Sequence, residues 1–248
     1  MANRQAREYA QAFAAAVAAA LLGALLAASL AERLQAPPPL WLQVVLGVVP
    51  VHLFAAGAAL MVLARKRGPR EASGGPDLPG DEEAGGAVVA NCEPRKVSVG
   101  FVLLVAGASY AATVLIVLGT AGILEVLGLP VRGNPLMEAV VASGGPPAWA
   151  ALAITSLLVA PFAEEFLFRE VLFAALLPAG ARVAAVASAL LFSAVHGVPS
   201  QLLALFGLGL LLQWVRRRAG GRLGPCIAVH AAYNGIALLL AAALAGSS

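Results

Sequence analysis

Apolar residues along this chain come in long runs rather than in alternation. The runs are Ala10 to Leu30, Trp41 to Ala64, Val97 to Leu129, Ala148 to Leu177, Ala181 to His196, Gln201 to Val215 and Pro225 to Leu244. The longer ones have the roughly 20 residues that a helix needs to cross a hydrocarbon core about 30 Å thick. They are too long for transmembrane strands, and a backbone in lipid must satisfy its own hydrogen bonds. The pattern therefore predicts an all-α, multipass transmembrane helix bundle of about seven helices, with a polar catalytic cavity within the membrane. Polar and helix-breaking residues mark the joints. Pro37-Pro38-Pro39 ends the first run, and Arg65 to Lys96 is too rich in Gly, Pro, Asp and Glu to bury a core, which predicts a flexible linker. Pro130 to Pro147 reads as a Gly/Pro-rich loop. The organisation expected is two N-terminal membrane helices (1–64), a cytoplasmic linker (65–97), a third helix with its outer loop (98–147) and a C-terminal core (148–248). Ser29-Leu30-Ala31 resembles a signal cleavage site, and cleavage there would leave the downstream orientation unchanged.

Composition narrows the class. The chain has 248 residues, 60% hydrophobic and 12% charged, with a mean hydropathy of +0.88, against about 45–50% apolar and 25% charged in soluble domains. A soluble enzyme, a DNA-binding domain and a secreted disulfide scaffold are excluded. Cys92 stands in a polar stretch and Cys226 opens an apolar run, so they are not expected to pair. The net charge of +3 sits beside the apolar runs, at Arg65, Lys66, Arg67 and Arg70 and at Arg216, Arg217, Arg218 and Arg222, whereas Pro130 to Pro147 carries only Arg132. This asymmetry is an orientation signal rather than a nucleic-acid footprint. It places the N-terminus, the linker and the Arg216 cluster in the cytoplasm, and the Ala-, Arg- and Gly-rich composition points to a prokaryotic cytoplasmic membrane.

The informative anomaly is Glu164-Glu165-Phe166-Leu167-Phe168-Arg169-Glu170 inside the fourth run. Ala148 to Ala160 is thirteen residues, about 20 Å of helix, too short to cross the core before the carboxylates are met. At least one carboxylate then lies at membrane depth, where an ionisable group reads as functional by default. Glu165 and Arg169 stand at i and i+4, acid first, the favourable order for an ion pair. That leaves Glu164 to exchange a proton, while Pro161 just upstream is expected to kink the helix or free a carbonyl. Two histidines follow in apolar segments. His196 lies one turn beyond Phe192, and His230 precedes Asn234 by four residues. The runs flanking Gly197 to Ser200 are too short to span, so the turn between them is expected partway through the membrane, lining a protein cavity, with His196 at the depth of Glu164. His52 lacks such companions and reads as structural.

Together, Glu164-Glu165 with Arg169, Phe192 with His196, and His230 with Asn234 resemble the Glu-Glu-x-x-x-Arg, Phe-x-x-x-His and His-x-x-x-Asn motifs of the CPBP family. These are the CAAX prenyl endopeptidases of the Ras-converting type and the bacteriocin-processing or self-immunity proteins. The resemblance covers Ala148 to Leu244. It implies an intramembrane endopeptidase acting near the cytoplasmic face, in which Glu164 activates a water with His196, His230 and Asn234 donate to the oxyanion, and Glu165, Arg169 and Phe192 support them. No cofactor is required on that mechanism, although Glu164, His196 and His230 also make up a three-ligand set for a catalytic zinc, without the HExxH arrangement. The partners implied are the lipid bilayer and a peptide or membrane-protein substrate, lipidated or not. The alternative from the residues alone is a proton-linked transporter or a non-catalytic scaffold using the same Glu/His cluster.

The orientation is testable directly. Protease added to intact spheroplasts is expected to spare the 65–97 linker, and cleavage there without lysis would mean that the topology is inverted.

Overall fold

The computed structural model describes residues 2–32, 37–66 and 96–246, and among these the only regular structure is helix. Residues 67–95 of the expected linker, Cys92 among them, lie outside the described residues. There are eight helices: α1 (Ala2–Glu32), α2 (Leu40–Lys66), α3 (Val99–Val126), α4 (Pro135–Ser143), α5 (Pro146–Ala179), α6 (Ala181–Ala194), α7 (Leu202–Arg218) and α8 (Gly224–Ala245). Five of them, α1, α2, α3, α5 and α8, are long and apolar enough to cross a membrane. Their outer faces suit lipid: on α3 the side chains of Leu103, Leu104, Leu115, Leu118 and Ile123 are exposed. The multipass helical bundle expected from the apolar runs is the fold observed.

One difference is α4, which occupies the segment read as loop. Asn134 caps it, its Oδ1 accepting from the backbone N–H groups of Leu136 and Met137, and Pro135 fills the first turn, where a missing N–H costs nothing. Val140 on α4 packs with Val44 of α2 and Ala148, Ala151 and Leu152 of α5 in a small apolar cluster. The Pro and Gly that suggested a loop are the start and stop signals of a short helix.

The helices α6 and α7 form a hairpin around a short 3₁₀ turn at Pro199–Gln201. At 14 and 17 residues they rise about 21 and 25 Å. The turn is covered by protein: Ser200 is buried, its Oγ donates to the Arg132 carbonyl at 2.7 Å, and its own carbonyl accepts from Thr120 Oγ1 at 2.6 Å. Non-helical backbone at this point is thus satisfied by neighbouring chain, which is the condition for it inside a membrane. Within the hairpin, Gly209 meets Ala189 so closely that a Cβ there would lie 2.9 Å from the Ala189 Cβ and 3.0 Å from its Cα. The main core, which includes Phe168, Phe192, Leu208, Leu212, Val229 and Tyr233, joins this hairpin to α5 and α8. The N-terminal pair α1 and α2 packs on the same middle section of α5.

The close approach yields a prediction. Gly209→Val forces two backbones apart and is expected to lower stability in detergent by about 1–3 kcal/mol, the usual cost of overpacking. Gly207→Ala on the same helix, with open space around the new methyl group, should not. Equal melting temperatures for Gly209→Val and wild type would mean that the hairpin is not packed in this way.

Candidate active site

The middle of α5 is not a regular α-helix. It widens into π-helical turns at Thr155–Val159 and Glu165–Leu172, separated by five α-helical residues that end in Glu164. Such wide turns are rare and cluster at functional sites. The first has a traceable consequence. In it the Ala160 N–H bonds the Thr155 carbonyl, five residues back. In the same register the Ser156 carbonyl would take the N–H of residue 161, but that residue is Pro161, which has none. The freed carbonyl is satisfied from another helix: Asn234 Nδ2 donates to it at 2.8 Å. The carbonyl expected from Pro161 is therefore Ser156's, and it ties α5 to α8 beside the glutamates.

The second wide turn carries the acid pair. Glu165 and Arg169 are both 0% exposed, and Arg169 Nε lies 3.1 Å from Glu165 Oε2, the i, i+4 pair expected from the spacing. The Arg169 guanidinium also stands 4.7 Å from the centre of the Phe192 ring, a cation–π contact. Phe192 in turn meets His196 and His230 edge-on, with ring centres 4.8 and 5.9 Å away. One buried aromatic ring thus spaces the arginine from both imidazoles. The last acid of the motif, Glu170, pairs with Arg216 of α7, whose Nε donates to the Gly221 carbonyl. Ser188 Oγ of α6 donates to the Phe168 carbonyl at 2.6 Å, fastening the hairpin to the wide turn.

Glu164 sits at the centre. Its side chain is 13% exposed, and imidazoles approach its carboxylate from three helices or helix ends. His196 Nε2 is 3.9 Å and His230 Nε2 is 3.7 Å from Oε2, while His52 Nε2 of α2 is 3.0 Å from Oε1, a hydrogen bond. Each ring has its other nitrogen against an oxygen. His196 Nδ1 donates to the Phe192 carbonyl at 2.7 Å, His52 Nδ1 to the Val48 carbonyl at 2.8 Å, and His230 Nδ1 to Glu165 Oε1 at 3.0 Å. A carbonyl only accepts, so for His52 and His196 the hydrogen on Nδ1 is fixed by chemistry, as it is for His230 against the ionised Glu165. All three Nε2 atoms are therefore turned to Glu164.

The structure brings together Glu164, Glu165, Arg169, Phe192, His196 and His230, places Asn234 one turn beyond His230 on the Ser156 carbonyl, and adds His52, which had read as structural. The cue was a titratable side chain inside an apolar run; what was missing was any local companion, since its partner lies 112 residues away. Glu165 also does more than compensate Arg169, because its second oxygen fixes the His230 ring. Cys226, the other reactive side chain nearby in sequence, is buried and donates weakly to the Leu212 carbonyl. An apolar cavity of about 620 Å³ lies between α3 and α7, lined by residues such as Ala108, Gly207 and Trp214, and none of the Glu, His or Asn side chains described above lines it.

Among the described residues no group of three His, Cys, Asp or Glu is arranged to hold a metal ion, and one oxygen of Glu164 is already engaged by His52.

Comparison with known proteins agrees with the motifs. Residues 146–236 match the family model described as type II CAAX prenyl endopeptidase Rce1-like. The match spans α5 to the middle of α8, less than half of the chain, and it covers Glu164, Glu165, Arg169, Phe192, His196, His230 and Asn234 but not His52. No curated protein and no solved structure matches. The segment is thus similar to the type II CAAX prenyl endopeptidases of that family model. With five helices apolar enough to span, this similarity indicates an integral membrane protein.

The buried pair makes a stability prediction. Glu165→Gln leaves Arg169 as an uncompensated charge in the core and is expected to cost about 3–5 kcal/mol. Thermal unfolding in detergent measures it, and a melting temperature equal to wild type would contradict the pairing.

Proposed function

We propose that this protein is an intramembrane endopeptidase in which Glu164 activates a water against a peptide carbonyl. The observation that carries the reading is Glu164 Oε2, a buried oxygen without a hydrogen-bond partner that faces His196 and His230 Nε2 at 3.9 and 3.7 Å. Those separations are too long for direct hydrogen bonds and suit a bridging water. In the first step Oε2 takes a proton from that water while its oxygen attacks the carbonyl carbon, with His196 holding the water's second hydrogen. The tetrahedral oxyanion is then met from the His230 Nε2 side, with Glu165 behind Nδ1 in the way a carboxylate backs a catalytic imidazole, and by the Asn234 Nδ2 hydrogen not given to Ser156. Glu164 returns its proton to the departing amine. Arg169 and Phe192 hold these groups in place.

No step of the reading is routed through a metal. The bilayer supplies the setting, and the substrate is a peptide or membrane protein, lipidated or not. Cleavage near the cytoplasmic face is supported by His230, which lies about 9 Å of helix from Gly224, next to the Arg216 to Arg222 cluster.

The test is hydrolysis of a peptide library by the purified protein in detergent, with new termini read by mass spectrometry. Glu164→Gln keeps shape and should fold, but turnover should fall by about a hundred- to ten-thousandfold, the usual loss when a general base is removed. Full cleavage by this variant would end the glutamate reading, and a wild type that forms no new termini would favour a transporter or scaffold. Inactivation of wild type by a membrane-permeable chelator, with rescue by zinc, would replace the water-activating carboxylate with a metal mechanism.

A further inference from the structure

The proposed reaction uses residues 164 to 234, all inside the segment matched by the family model. His52 is outside it, on α2, and makes the shortest contact that Glu164 has with any imidazole. We infer that His52 is a positioning residue for the water-activating step: it holds Oε1 of Glu164 through Nε2–H, so that Oε2 alone is presented to the water.

Donor and acceptor inventory supports this. Nδ1 of His52 carries a hydrogen because it faces the Val48 carbonyl, and an ionised Glu164 has no hydrogen to give, so the bond at 3.0 Å is made by a hydrogen on Nε2. The groups facing Glu164 from the packed elements are His52 on α2, His196 at the end of α6 and His230 on α8. Glu165 and Arg169, on α5 itself, are already paired with each other. Only His52 reaches Oε1. A carboxylate pinned by one oxygen has one defined lone-pair direction for its other oxygen, and such alignment is what positioning residues contribute to rate. The ring is aimed by its own helix, because the Val48 carbonyl one turn back fixes its tilt. The N-terminal hairpin therefore completes a site that the matched segment contains only in part.

This inference rests on Glu164 acting as the base, and the experiment separates the two. The variants are His52→Gln, whose side-chain amide reaches where Nε2 stood, and His52→Asn, whose shorter amide reaches only where Nδ1 stood. Each is measured for kcat, KM and melting temperature in detergent, beside Glu164→Gln and Leu53→Ala, whose exposed side chain on the same helix touches none of the site. The expected result is that His52→Asn loses about a hundredfold in kcat with KM within about twofold, that His52→Gln recovers most of it, and that both melt together. Leu53→Ala should match wild type. Equal kcat for His52→Asn and wild type, or equal losses in both His52 variants with a lowered melting temperature, would overturn the role of His52. A fully active Glu164→Gln would overturn the base on which it rests, whatever His52 does.

Discussion

The buried pair of Glu165 and Arg169 is the constraint around which the rest of this structure is arranged. Two opposite charges removed from water are costly unless they are paired, and here the pair makes further contacts outward. The second oxygen of Glu165 goes to His230, and the guanidinium face goes to Phe192. Because Phe192 also touches both imidazoles, the charge pair sets the positions of His196 and His230 without contacting His196 itself. Glu164, one residue earlier, points along a different direction and is left facing the nitrogens that this framework has oriented.

Backbone irregularity contributes as much as the charges. A uniform α-helix through residues 155–172 would leave the Leu157 carbonyl, four residues before Pro161, without its N–H, rather than that of Ser156. The π turns, together with the missing N–H of Pro161, release the Ser156 carbonyl, and Asn234 is drawn to it. The same asparagine therefore has one hydrogen that locks two helices together and one that remains for chemistry. At the far end of the motif, Glu170 with Arg216 repeats the arrangement, tying α5 to α7 by an ion pair. The two acids flanking the Glu165–Arg169 core thus have opposite duties: Glu170 is held, and half of Glu164 is free.

What could be read from the amino-acid order was whatever depends on neighbours within a turn or two. Span lengths gave the bundle, and i, i+4 spacing gave the Glu165–Arg169, Phe192–His196 and His230–Asn234 pairs. The short runs around Gly197 to Ser200 implied a hairpin with a protein-covered turn, and Ser200 is indeed buried under Arg132 and Thr120. What escaped were features set by tertiary contact or by subtle local geometry. His52 belongs to α2 and meets Glu164 only because the N-terminal hairpin packs on α5. The π turns differ from α-helix by one residue per turn in hydrogen-bond register, which leaves no imprint on a 3.6-residue pattern. The helix α4 was hidden because Asn134, Pro135 and Gly144 are loop formers and helix delimiters alike, and only the apolar residues between them, buried against α2 and α5, decide which.

The distribution of exposure among the central groups argues for how the site works as a whole. Glu165, Arg169 and His230 are sealed, whereas Glu164, His196 and His52 keep 13%, 26% and 20% of their side-chain surface open. Groups that only hold others benefit from a dry setting, because each electrostatic contact is stronger there. Groups that must receive water and a polypeptide need an approach. His52 sits on the open side with Glu164 and His196 although its proposed task is to hold, which is expected of a residue from the N-terminal hairpin: it closes the cleft from the edge rather than supporting it from beneath.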